Sequence, residues 1–215
     1  MALVDGDYKF KYVDVGCNGR ISDGGVFKNC SLSTALETNQ LNIPKAAPLP
    51  ERINPCPYVI VADDAFPLKP YIMKPFNLKD MELEKRIFNY RLSRARRIVE
   101  NAFGILSNRF QVFKSPIALC PDKVEDIVLA SICLHNMLRS LQGSYYIPSG
   151  SVDYEDTLNE EIHSGEWRNS SSSTGMQSLA QQGSNRYSLD AKSVRDEFTE
   201  YFNSLGSVEW QWGMI

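Results

Sequence analysis

Tyr58-Val59-Ile60-Val61-Ala62-Asp63-Asp64 is a short, continuously apolar run that stops abruptly at two acids. Its length and β-branched content fit a buried strand, and the proline-rich stretch 42–57 before it reads as a loop. Downstream, Phe88, Leu92, Ala95, Val99, Ala102, Phe103, Leu106 and Phe110 keep helical spacing with no intervening proline, which predicts a helix over 81–110. A second helix is predicted from Pro121 to about Leu141, with proline in its first turn and Asp122 and Glu125 near the positive end of the dipole. Upstream, Asp5-Gly6-Asp7 separates the β-prone runs Ala2–Val4 and Tyr8–Val15, a hairpin pattern. Ser22 or Asp23 then heads a helix expected from about Gly24 to Leu36. Strands and helices in this order give an α/β class.

With 215 residues, 43% of them hydrophobic, the chain holds enough apolar material for one ordinary core plus extensions. The formal charge of -3 argues against wholesale polyanion binding, so local charge matters more. Five widely spaced cysteines without a C-x-x-C pair suggest neither a disulfide framework nor a zinc cluster, and fit a reducing compartment. No apolar run approaches the roughly 18 to 20 residues that span a bilayer, so no membrane partner is expected. Between Gly143 and Ser188 the composition turns polar and reads as a flexible linker. Val194, Phe198, Tyr201 and Phe202 then mark an amphipathic helix over about 190–205, before Trp210-Gln211-Trp212. The expected organisation is a domain over 1–142, a linker over 143–188, and a helix with an aromatic tail over 189–215.

Three acids are candidates for chemistry. Asp63 ends the buried strand, and Glu100 lies at the edge of the main helix's apolar stripe with Arg96 and Arg97 on the same side. Asp23 is either a helix cap or a third ligand. Glu100 can equally be a satisfied ion pair. Carboxylates converging from a strand end and a helix suit hard divalent cations, and Mg²⁺ or Mn²⁺ so held can activate water and stabilise a leaving oxygen in phosphodiester hydrolysis. From Glu84 to Arg109 there are seven basic residues against two acids, Glu84 and Glu100. Such a run is a solvated face or a phosphate-steering surface, and its position around Glu100 favours DNA contact through Arg91, Arg94, Arg96 and Arg97. His135, on an apolar helix, is expected as a packed core histidine rather than a catalyst.

Tyr12-Val13-Asp14-Val15-Gly16 with Gly19-Arg20-Ile21-Ser22-Asp23-Gly24-Gly25-Val26-Phe27, then Pro57 to Leu68, then Phe88 to Leu106, follow one another in an order that resembles the PIF/Harbinger transposases and their domesticated nuclease relatives, the DDE superfamily endonucleases. Leu134-His135-Asn136-Met137-Leu138-Arg139 is similar to a further family segment. The resemblance implies an RNase H-like fold, a mixed sheet with flanking helices, here lacking the first strand and carrying a flexible C-terminal extension. It implies Asp23, Asp63 and Glu100 as ligands of Mg²⁺ or Mn²⁺, with Asp63 preferred over Asp64. DNA is the implied substrate, the nucleus the implied location, and a separate protein the implied source of sequence-specific DNA binding. The family's first catalytic aspartate lies on a strand upstream of the hairpin. Asp5 and Asp7 have local reasons to sit in a turn and do not replace it. Two readings follow: a metal-dependent DNA endonuclease, or a domesticated, non-catalytic interaction module.

Overall fold

Short strands and longer helices alternate through the molecule, in keeping with the α/β class. The computed structural model describes residues 1–17, 21–77, 81–169 and 187–215. In chain order the elements are β1 (Ala2–Val4), β2 (Phe10–Val13), α1 (Asp23–Asn29), α2 (Ser31–Glu37), β3 (Ala47–Pro48), β4 (Pro55–Cys56), β5 (Ile60–Val61), β6 (Ile72–Met73), α3 (Leu83–Arg109), α4 (Pro121–Gln142), β7 (Tyr154–Asp156), β8 (Glu161–His163), α5 (Glu166–Asn169) and α6 (Leu189–Phe202). Among the described residues the strands form four two-stranded ladders: β1–β2, β3–β4 and β7–β8 are antiparallel, and β5–β6 is parallel. The main helix and the Pro121 helix lie where periodicity and capping residues put them. The chain divides into two compact units, Met1–Arg20 with Arg97–Leu179, and Ile21–Arg96 with Ala180–Ile215.

In the first unit the β1–β2 hairpin packs its apolar face on helices. Phe10, Ala102, Leu106 and Ile132 form the buried cluster, with Val13, Phe103 and Val128 against it. Asp5 closes the turn by accepting from the Asp7 and Lys9 N–H groups at 2.9 and 3.0 Å. Helix α4 then grips the hairpin through its side chains. Asn136 accepts from the Phe10 N–H at 2.9 Å and donates to the Phe10 carbonyl at 2.8 Å. Arg139 Nε donates to the Asp7 carbonyl at 2.9 Å. These bonds satisfy backbone groups that a neighbouring strand would otherwise pair.

His135 is fully buried, with Nε2 2.8 Å from the Tyr8 carbonyl and Nδ1 2.9 Å from the Tyr146 hydroxyl. A carbonyl only accepts, so Nε2 carries the hydrogen and Nδ1 accepts from Tyr146. Burial lowers the pKa of His135 and pushes the Tyr146 hydroxyl up to about 12. It is the core histidine that the sequence suggested.

The stretch after α4 departs from the expected linker. Residues 143–169 carry the β7–β8 hairpin and α5, with Tyr146 and Asp153 buried, while the serine-rich part over 170–186 lies outside the described residues. Polar composition suggested a chain unable to offset its ordering entropy by apolar burial. Here hydrogen bonds and ion pairs do the ordering: Asn101 exchanges two bonds with the Asp153 backbone, and Arg97 meets Glu155 at 2.8 Å.

In the second unit, Leu68, Met73, Phe88, Leu92 and Ala191 form the core, with Val59, Val194, Phe198 and Phe202 packed against it. The amphipathic C-terminal helix is thus a core component, and Val194 to Phe202 do not form a free docking face. The single helix expected from Gly24 to Leu36 is two. Cys30 adopts an extended conformation (φ -84°, ψ 157°), and its Sγ donates to the Phe27 carbonyl and accepts from the Ser33 N–H, ending α1 and capping α2. Serine-like capping by a thiol left no trace in the hydrophobic pattern. Asn89 holds Phe76 as Asn136 holds Phe10, accepting from its N–H at 2.7 Å and donating to its carbonyl at 2.9 Å.

Asn136→Leu, close in size, strands a buried N–H and C=O of Phe10. It is expected to cost at least ~2 kcal/mol in urea unfolding. His135 gives a pH signature: its folded pKa lies below the ordinary 6.5, so its neutral form contributes fully above that pH and the stability is lost as pH falls through the folded value. Urea midpoints taken between pH 7.5 and pH 5 should fall on acidification, and His135→Gln should flatten that fall.

Candidate functional site

The parallel pair β5–β6 delivers the chain to a tight turn at Asp63. Asp63 Oδ1 accepts from the Ala65 N–H at 3.0 Å, fixing the turn, and the Lys74 ammonium, just past β6, donates to the Asp64 carbonyl at 2.8 Å. Helix α1 rests against this turn. A Cβ on Gly24 would lie 2.6 Å from the Ala65 carbonyl oxygen, so only glycine permits the approach. Ser22 is the N-cap, its hydroxyl accepting from the Gly25 N–H, which makes Asp23 the first helical residue and frees its carboxylate from capping. The second glycine of the motif is crowded too, since a Cβ on Gly25 would meet Ile21 at 2.8 Å.

Burial dominates the electrostatics at Asp63, and the nearby acids add to it. Burial raises the Asp63 pKa; the Ala65 N–H and the charge of Arg96 oppose the rise, and the carboxylates of Asp23 and Asp64 add to it. Lys74 is buried and its pKa is lowered, again chiefly by burial, although the neighbouring acids favour its charge. Ionising Asp63 is therefore costly chiefly because the carboxylate is buried, with the two neighbouring acids a smaller addition. Asp23 and Asp63 suit a hard divalent cation, being carboxylate oxygens on one turn and one helix start whose repulsion a cation would relieve. Among the described residues no group of three or more His, Cys, Asp or Glu side chains is arranged to hold a metal ion.

Glu100 belongs to the other unit, where its carboxylate faces the Arg168 guanidinium at 3.8 Å. The structure thus sets Asp23 within charge range of Asp63 and gives Glu100 an arginine partner. The four arginines expected at DNA are largely engaged within the protein. Arg91 donates to the Gly206 carbonyl and to Gln211 Oε1, and it lies over the Phe202 ring at 4.6 Å. Arg94 stacks on Trp210 at 4.3 Å, so this pair anchors the aromatic tail. Arg97 pairs with Glu155, and Arg96 is the arginine whose charge reaches Asp63.

Lys74 and Arg168 escaped the reading of the sequence. A lysine two residues into a β-prone run after a loop has no periodic signal, and Arg168 stood in what composition marked as linker. Asn101, Asn136 and Arg139 lay inside recognised motifs without an assigned role.

The family model of the DDE superfamily endonucleases matches residues 1–136. The chain belongs to this family. The motif resemblance is thereby borne out, and the hairpin, the Asp23 helix start, the Asp63 turn, the Glu100 helix and the Asn136 grip all fall inside the match. The chain is also 29% identical over 143 residues to Protein ALP1-like of Arabidopsis thaliana, an alignment covering 66% of this chain and 35% of that protein. It therefore spans about a third of the length of this curated relative. No solved structure matches the chain. No helix among the described residues is long and apolar enough to cross a membrane.

Asp63→Asn tests the cost of this buried charge. The raised folded pKa means that Asp63 favours folding below 3.8 and that this contribution is lost as pH rises through the folded value. An asparagine keeps the oxygen that accepts from Ala65 and removes the charge. The variant should melt higher than wild type at pH 7, with the advantage vanishing below pH 3.8; thermal scans at the two pH values decide it.

Proposed function

We infer that the chain is part of a divalent-metal-dependent DNA endonuclease of RNase H-like fold, using Asp23, Asp63 and Glu100 as the metal-holding carboxylates. The observation that carries this reading is the seating of Gly24 on the Ala65 carbonyl, which sets the Asp23 and Asp63 carboxylates within electrostatic reach of each other at the end of a parallel strand pair. A half-buried, raised-pKa acid beside a second acid is poor packing and good ligand chemistry. Mg²⁺ or Mn²⁺, when bound, supplies an activated water and neutralises charge at the leaving oxygen. The residues' own part is positional: Ala65 N–H orients Asp63, Lys74 pins the turn, and Arg96 offsets part of the negative charge. The reading takes DNA as the substrate, which the family match supports, the nucleus as the place of action and a separate protein as the source of sequence-specific DNA binding.

A second reading is a domesticated, non-catalytic interaction module. It is favoured by the engagement of Arg91, Arg94 and Arg97 inside the fold, which leaves less of the basic stripe for phosphate. Calorimetry with Mg²⁺ and Mn²⁺ separates the two readings. The nuclease reading expects saturable binding that weakens about tenfold or more in Asp63→Asn and in Glu100→Gln, together with metal-dependent nicking of supercoiled plasmid. Well-folded protein that takes up neither ion would remove it.

A further inference from the structure

The family match ends at residue 136, yet the chain that follows α4 returns to the glutamate helix and builds a cation beside Glu100. Its anchor is Asp153, whose side chain is only 3% exposed. Asn101, the residue after Glu100, accepts from the Asp153 N–H at 2.9 Å and donates to its carbonyl at 3.3 Å. The Asp153 carboxylate accepts from the Gly165 N–H at 2.8 Å and from Arg168 Nε at 2.9 and 3.0 Å, with Arg168 Nη2 as a further donor. Although burial opposes it, these bonds hold the Asp153 carboxyl below its ordinary range.

Trp167 completes the mount. Its indole N–H donates to Asn101 Oδ1 at 2.9 Å, its ring lies where a Cβ on Gly104 would be, and the Arg168 guanidinium stacks on it at 4.3 Å. Fixed on both sides, the Arg168 guanidinium stands 3.8 Å from Glu100 Oε2, with the two side chains 42% and 44% exposed. The fork on Asp153 and the stack on Trp167 together set the direction in which the guanidinium faces Glu100. Surface ion pairs are weak, but a pre-oriented guanidinium loses little entropy in keeping its place.

We propose that Arg168 is a resident counter-ion of Glu100, a built-in monovalent cation that a divalent metal has to displace before Glu100 can act as a ligand. This rests on the assignment of Glu100 as a metal ligand above. It makes the segment from Gly150 to Asn169 a restraint on metal loading. Coulomb repulsion between the guanidinium and an arriving divalent ion adds to the competition for the same carboxylate.

The test is Mn²⁺ affinity of the whole chain, read by electron paramagnetic resonance of free Mn²⁺. Asp153→Asn combined with Arg168→Gln removes the pair together and leaves no buried carboxylate alone. This double variant should bind Mn²⁺ about fivefold tighter, the ratio that corresponds to the upper range for a half-exposed ion pair. Arg168→Lys keeps the charge but loses the fork on Asp153 and the stack on Trp167, and should fall between wild type and the double variant. In the unaltered protein the Arg168 Nε–H resonance should shift in step with saturation by Mg²⁺, a readout that holds even where the double variant does not fold. Equal or weaker binding by a folded double variant, or an Arg168 resonance indifferent to Mg²⁺, overturns the counter-ion role. Glu100→Gln separates the two levels. If it lowers affinity while the double variant changes nothing, only this inference falls; if it binds as wild type does, the ligand assignment falls with it.

Discussion

Three asparagine side chains tie the helices to the segments they must hold. Asn89 on α3 takes both backbone groups of Phe76, Asn101 on α3 takes both of Asp153, and Asn136 on α4 takes both of Phe10. A carboxamide is the one short side chain that offers a donor and an acceptor side by side, so it can stand in for the edge of a neighbouring strand. Strands of two to four residues bury little by themselves and cannot be held by apolar contact alone. Each amide closes two backbone bonds that would otherwise be lost inside the protein, where an unmet polar group is expensive. The three asparagines lie on the two longest helices, which carry their own rigidity and lend it to loops and hairpins.

Around the acids the same economy is reversed. Gly24 allows a helix start to press on the Ala65 carbonyl, and the result is two carboxylates whose ionised forms repel. Lys74, buried and deprived of water, is part of the compensation. A fold that tolerates this has its local rules broken where chemistry is expected and obeyed elsewhere, in the hairpin turn at Asp5 and in the cap at Ser188.

Much of this was legible in the residues. The spacing from Phe88 to Phe110 and the proline at 121 mark α3 and α4 because helical periodicity and first-turn proline are local properties. The Asp-Gly turn, the Ser22 cap and the buried His135 were legible for the same reason. The break at Cys30 was hidden, since a thiol accepting a backbone hydrogen bond looks apolar in a hydrophobicity pattern. The order in residues 143–169 was hidden more deeply: Asp153, Trp167 and Arg168 find partners on α3 that are far away in sequence, and composition records no pairing. For the candidate acids, the helix-start place of Asp23 and the strand-end place of Asp63 were readable, whereas the partner of Glu100 was not, because it lies in a stretch that composition assigned to a linker. The uses of Arg91 and Arg94 were equally invisible, depending on an aromatic tail more than a hundred residues away.

The docking of α6 has a consequence for the order of events during synthesis. Leu68, Met73, Phe88 and Leu92 are translated early, but the apolar face that covers them, Ala191, Val194, Phe198 and Phe202, emerges about a hundred residues later. At roughly 5 to 20 residues per second, the nascent chain carries an uncovered apolar surface for several seconds. A chain stopped between α4 and α6 would accordingly carry the apolar face of Leu68, Met73, Phe88 and Leu92 without its cover.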